Sequence, residues 1–87
     1  MMEETLLDEV TAVVAEHWEG MGRRTLLLLK EQFPGIVFIA VPAADVIEEP
    51  ARKSGSVDLH FIDTQNHCVS VISDSKRAGG ILLAIRE

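Results

Sequence analysis

Two short segments constrain this chain most. Ile36-Val37-Phe38-Ile39-Ala40-Val41 and Ile81-Leu82-Leu83-Ala84-Ile85 are apolar at every consecutive position. Successive side chains of a strand point to opposite faces, so each segment, once extended, is apolar on both sides. Their shortness, the β-branched and aromatic residues of the first, and its bounding Gly35 and Pro42 predict strands. Both are far shorter than the ~18–20 apolar residues of a membrane span. Any fold of this chain must shelter both faces of both segments.

The other segments are one-sided. Thr5 to Trp18 reads as an amphipathic helix, with Leu6, Val10, Val13, Val14 and His17 at three- and four-residue steps and Leu7 and Trp18 beside them. Thr5 and Asp8 make a capping-box spacing, and Gly20-Met21-Gly22 supplies a stop. Arg23 to Phe33 reads as a second helix that buries Leu26, Leu29 and Phe33 and ends at Pro34-Gly35. Ser56 to Ile62 and His67 to Ser73 alternate apolar and polar residues, and Asp63-Thr64-Gln65-Asn66 supplies a turn between them, which predicts a hairpin. Ser73 to Gly80 is a polar second turn. Pro42 to Ser56 is a connector: Ala43 to Glu49 is a short helix with Val46 and Ile47 inward, and Pro50 to Ser56 is a loop and the most mobile segment.

The expected architecture is a single α+β domain spanning residues 1–87. Two N-terminal helices pack on a four-stranded, mainly antiparallel sheet in the order α-α-β-(connector)-β-β-β, the last three strands forming a meander. Two helices cover only one face of such a sheet. Either the first and last strands lie side by side under extra cover, or their second faces meet another molecule. A homodimer or a protein partner on the sheet face is therefore expected, with the connector 43–56 as the alternative cover.

Composition narrows the function classes. Apolar residues make up 47% of the 87, enough to argue against disorder. A chain of this length buries only roughly 60–65% of the surface it exposes unfolded, so its core is thin. One cysteine cannot close an internal disulfide, so the fold stands on packing and a reducing, cytoplasmic setting is expected. Met1-Met2-Glu3-Glu4 has neither the basic nor the apolar part of a secretory signal. Eight basic against fourteen acidic residues give a net charge of −6, which argues against nucleic acid or an anionic membrane as partner. The basic pairs Arg23-Arg24, Arg52-Lys53 and Lys76-Arg77 read as solvated element ends.

The chemistry-bearing residues concentrate in His60–Val71, which holds His60, His67 and Cys68. If the hairpin pairs His60 with Cys68, Val57, Leu59, Phe61, Val69 and Val71 share one face. Asp58, His60, Cys68 and Ser70 share the other. A histidine, a thiolate and a carboxylate on one face suit zinc or copper, so His60 and Cys68 are the candidate metal ligands. Against this, a structural zinc site wants four ligands, and the chain has no CxxC, HxxxH or HExxH pair. Without metal, His60 is a surface strand residue and Cys68 a small half-buried hydrophobe. His17 joins the group only if the first helix covers the same face. The serines lack a GxSxG turn, and Gly79-Gly80 after Lys76-Arg77 lacks the P-loop pattern and precedes a strand. No catalytic residue and no cofactor is expected.

The leucine-rich helix ending in Phe33-Pro34-Gly35 and leading to Phe38, together with His67-Cys68-Val69-Ser70, Asp74 and Gly79-Gly80 before an apolar strand, resembles a family of short bacterial proteins often encoded beside nitrogen-fixation genes. The resemblance runs from about Leu26 onward; the first helix, with Trp18 and Arg23-Arg24, has no counterpart in it. It implies an accessory role around metallocluster assembly or nitrogenase regulation. The expected function is thus that of a non-enzymatic accessory or interaction protein. The alternative is a small metal-handling or redox protein that uses Cys68 with His60.

Overall fold

Leu7, Val10 and Val14 recur at three- and four-residue steps, and they are the residues the first helix buries. In the computed structural model, which describes residues 4–64 and 70–86, this helix, α1, runs Glu4–Met21. Leu7 lies deeper than Leu6, so the buried stripe is turned slightly from the expected one. The helix stops where Gly22 takes a φ of +57°, a left-handed conformation that costs glycine little. A 3-10 turn at Gly22–Arg24 leads into α2 (Thr25–Gln32), shorter at both ends than expected.

The strands are β1 (Val37–Pro42), β2 (Arg52–Ser54), β3 (Val57–Asp63), β4 (Ser70–Ile72) and β5 (Gly80–Ile85). The fold is α+β, but the sheet has five strands, not four, and is mixed: three of its pairings are antiparallel, as expected of most of them, and one, β1 with β5, is parallel. Its order is β1-β5-β3-β2, and β4 also pairs with β3. β1 runs parallel to β5, from Val37 opposite Gly80 to Pro42 opposite Ile85. β3 is antiparallel to β5 from Val57–Ile85 to Ile62–Gly80. Because β5 fills that edge of β3, β2 and β4 share the other edge, one after the other.

The expected meander does not form. β5 bypasses β4 and inserts between β1 and β3. The reason lies in its residues: all six positions of β5 are buried, and a strand apolar on both faces belongs in a sheet interior. Gly80 permits the insertion, since a Cβ there would lie 2.4 Å from the Val37 carbonyl oxygen. The expected loop 50–56 is also corrected: Arg52–Ser54 is a strand, closed onto β3 by a two-residue Gly55-Ser56 turn in which Gly55 has a φ of +59°. Arg52 pairs with Asp8 and so ties β2 to α1.

The sheet separates two apolar layers. On one side, Leu7, Val10 and Val14 of α1 and Leu29 of α2 pack on Phe38, Val57, Leu59, Phe61, Ile81 and Leu83. Trp18 packs on the same layer. On the other side, Ile62, Leu82 and Ala84 are buried. Ala43 and Val46 of the connector lie over them, with Ile39, Val41 and Val71 around them. The chain itself therefore supplies cover for the second face at β3 and β5. The connector does so as an extended crossover with a 3-10 turn at Ala43–Asp45, not as a seven-residue helix. Val46 is half-buried as expected, but Ile47 points to solvent with 94% of its surface exposed. No helix among the described residues is long and apolar enough to cross a membrane.

Candidate functional site

β1 has the composition of an interior strand and the position of an edge strand. It carries six residues and no charge, and its burial is uneven: Phe38 is buried, Ile39, Ala40 and Val41 are half-buried, and Val37 is 43% exposed. On the second face Ile39 and Val41 of β1 pack in the same layer as Ala43 and Val46 of the connector, while Val37, at the start of the strand, stays exposed. Backbone direction along β1 follows from one bond. The Val37 N–H donates to the Gly79 carbonyl at 3.2 Å, so Val37, Ile39 and Val41 turn their backbone groups toward β5. Phe38 and Ala40 turn theirs outward. Among the described residues no backbone group pairs with that outward edge. Pro42 ends the row, since it has no N–H to offer.

Beneath this edge the strand is held firmly. The Phe38 ring packs on Phe33 at the end of α2, with centroids 6.3 Å apart and planes tilted by 55°. The Phe33-Pro34-Gly35 sequence thus brings α2 back onto β1, with the Ile36 N–H donating to the Phe33 carbonyl at 3.3 Å. The opposite edge of the sheet is guarded differently. β2 is three residues long and carries Arg52 and Lys53, which discourages the approach of a further strand.

The residues expected to bind metal fall as follows. His60 lies on β3 opposite Leu82 and is 2% exposed, in the second apolar layer. Its Nδ1 finds no hydrogen-bond partner among the described residues. Burial pushes its pKa below the usual histidine value, while the nearby carboxylates of Asp58 and Glu48 pull the other way. His60 is therefore not the surface strand residue that the alternation implied. Cys68 and His67 lie outside the described residues. Asp58 is engaged by Arg86, which also donates to the Gly55 carbonyl.

The hairpin register that brought His60 and Cys68 together is not the one observed. β4 pairs Ile72 with Phe61, Val71 with Ile62 and Ser70 with Asp63. The expected register would have set Ile62 against residue 66. The two differ by an odd number of residues, which exchanges the faces: Val71 joins Ile62 in the second layer, and Ile72 joins the helix side. His17 lies on α1, across the sheet from His60. Among the described residues no three His, Cys, Asp or Glu side chains are placed to hold a metal ion.

Sequence reasoning recognised the β1 segment and its two apolar faces but not its edge position, which depends on where β5 inserts. No protein-family model, no curated protein and no solved structure matches this chain.

Proposed function

We propose that this chain is a small, non-enzymatic accessory protein that works by binding another protein chain, and that β1 is the element it binds with. One observation carries the reading: an uncharged six-residue strand stands at the sheet edge with the Phe38 and Ala40 backbone groups turned outward and Val37 exposed. Such an edge accepts an extended peptide as an added strand, main-chain bonds supplying affinity and alternate side chains specificity. The test is titration of the isotope-labelled chain, at low micromolar concentration, with a synthetic alternating Thr-Val hexapeptide. Strand addition shifts the amide resonances of Phe38 and Ala40 and leaves those of residues facing β5 little changed. Amides that stay put at millimolar peptide refute it.

The accessory role in nitrogen fixation rests on the resemblance of the Phe33-Pro34-Gly35 and His67-Cys68 motifs. Deleting the chain from its host should impair growth on dinitrogen and spare growth on ammonium; equal growth on both removes the role. A second reading, metal or redox handling by Cys68 with His60, is favoured by the buried Nδ1 of His60, which has no hydrogen-bond partner among the described residues. Titration with zinc and copper, repeated on Cys68→Ser and His60→Ala, decides it: stoichiometric uptake lost in both variants supports the reading, and no uptake by the unaltered chain ends it.

A further inference from the structure

The outward edge of β1 has a donor and acceptor pattern that suits a copy of itself. We propose that two copies of this chain join β1 to β1, antiparallel, about a two-fold axis at Ile39, so that their sheets merge into one. This rests on the reading of β1 as the binding element and names its partner.

Setting Ile39 opposite Ile39 of the second copy places Phe38 opposite Ala40 of that copy, and Ala40 opposite its Phe38. Those are the two residues whose backbone groups face outward. Each pair exchanges both N–H···O bonds, as hydrogen-bonded pairs of an antiparallel ladder do. Every outward N–H of Val37–Pro42 is then satisfied, because Pro42 has none.

The side chains agree with the same register. On the helix side a large Phe38 meets a small Ala40. On the other side Ile39 meets Ile39, and Val37 meets Val41, an all-β-branched row of the kind that stabilises cross-strand pairs. That row covers the exposed side chain of Val37 at the start of β1. α2 lies on β1, so joining the sheets there also brings together the two copies of α2, on which Leu27 is 68% exposed.

Charge and strand length select the same place. Two chains of net charge −6 repel, and β1 is an uncharged strand along which they can approach. The other sheet edge is split between β2, which presents Arg52 and Lys53 and would set like charges together on self-pairing, and β4, an uncharged strand of only three residues. A two-fold pairing uses up both β1 edges, so it closes at the dimer instead of growing into a filament. One six-residue strand pair buries less than the roughly 800 Å² per partner of stable complexes, so the dimer dissociates on dilution.

The test is sedimentation velocity of the full chain from about 1 to about 300 μM, a range that brackets micromolar dissociation. The unaltered chain should shift from monomer to dimer as concentration rises. Ile39→Lys and Ile39→Glu should each be monomeric at the top concentration, since each sets like charges face to face across the axis. Their equimolar mixture should regain the dimer, because the charges then oppose; circular dichroism confirms that each variant is folded.

An independent reading comes from amide exchange in the unaltered chain. Phe38 and Ala40 should slow with concentration, while Val37, Ile39 and Val41 stay slow throughout. A chain that remains monomeric, a dimer indifferent to both variants, monomeric variants whose mixture shows no rescue, or exchange at Phe38 and Ala40 independent of concentration would each overturn the proposal. A monomer whose Phe38 and Ala40 amides still shift with the hexapeptide defeats the self-pairing alone and leaves the binding role of β1 standing.

Discussion

Replacing Gly80 with alanine tests the junction on which the sheet depends. A Cβ at this position would lie 2.4 Å from the Val37 carbonyl oxygen, 2.9 Å from the Val37 Cβ and 3.1 Å from the Ile62 Cδ1. The first of these contacts is backbone, and the Val37 N–H is tied to Gly79, so β1 cannot yield without loosening its first bond to the adjoining chain. Overpacking of this kind typically costs about 1–3 kcal/mol. A domain of this size is stable by roughly 4–13 kcal/mol, so a mid-range loss of about 2 kcal/mol is a large fraction of the total. With about 4–8 °C lost per kcal/mol at this chain length, the thermal midpoint of Gly80→Ala should fall by roughly 8–16 °C. Gly20→Ala is the control, because no atom lies within 4 Å of a Cβ there and the position is helical. It should raise stability by up to about 1 kcal/mol. Thermal melts followed by circular dichroism read both. If Gly80→Ala melts within about 2 °C of the unaltered chain, the close approach of β5 to β1 is not as described and the reasoning fails.

Stability should also depend on pH through His60. Its folded-state pKa is lowered by burial, so below the ordinary histidine value of about 6.5 the unfolded chain holds more protons than the folded one. The stability that His60 contributes is present above that value and is lost as pH falls through the window beneath it. Urea melts from pH 7.5 down to pH 5 should show this slope, and His60→Leu should flatten it; an unchanged slope in the variant would show that other groups set it. Thr25 buries a hydroxyl oxygen with no hydrogen-bond partner among the described residues. Thr25→Val keeps the shape and removes the unmet polar group, so urea melts should find it neutral to about 1–2 kcal/mol more stable, and a clear loss would mean that the hydroxyl is bonded after all.

Much of this architecture is legible in local pattern. The apolar stripe through Val10 and Val14 marks α1, and Gly20-Met21-Gly22 marks its end, where Gly22 takes the left-handed conformation, because helical period and left-handed backbone are properties of adjacent residues. The consecutive apolar residues of 36–41 and 81–85 mark strands with two faces to shelter. Arg52-Lys53-Ser54, by contrast, read as part of the loop 50–56. A strand so short and so charged shows no period of its own and is defined only by its pairing with β3.

What the sequence alone determined is which segments must be buried and which residues lie on one side of each. Side-chain alternation and helical period are built into the backbone and need no distant partner. Which strand neighbours which was decided by the tertiary structure. β5 took the interior position because six buried residues gain most between two strands, and that left β1, equally apolar, at the edge. The same holds for His60. Its place in the alternation was readable, but β5 beside it, with Leu82 opposite, and a connector crossing the same face turned an expected surface histidine into a buried one. Register and cover depend on contacts between residues far apart along the chain, and nearest-neighbour chemistry carries no record of them.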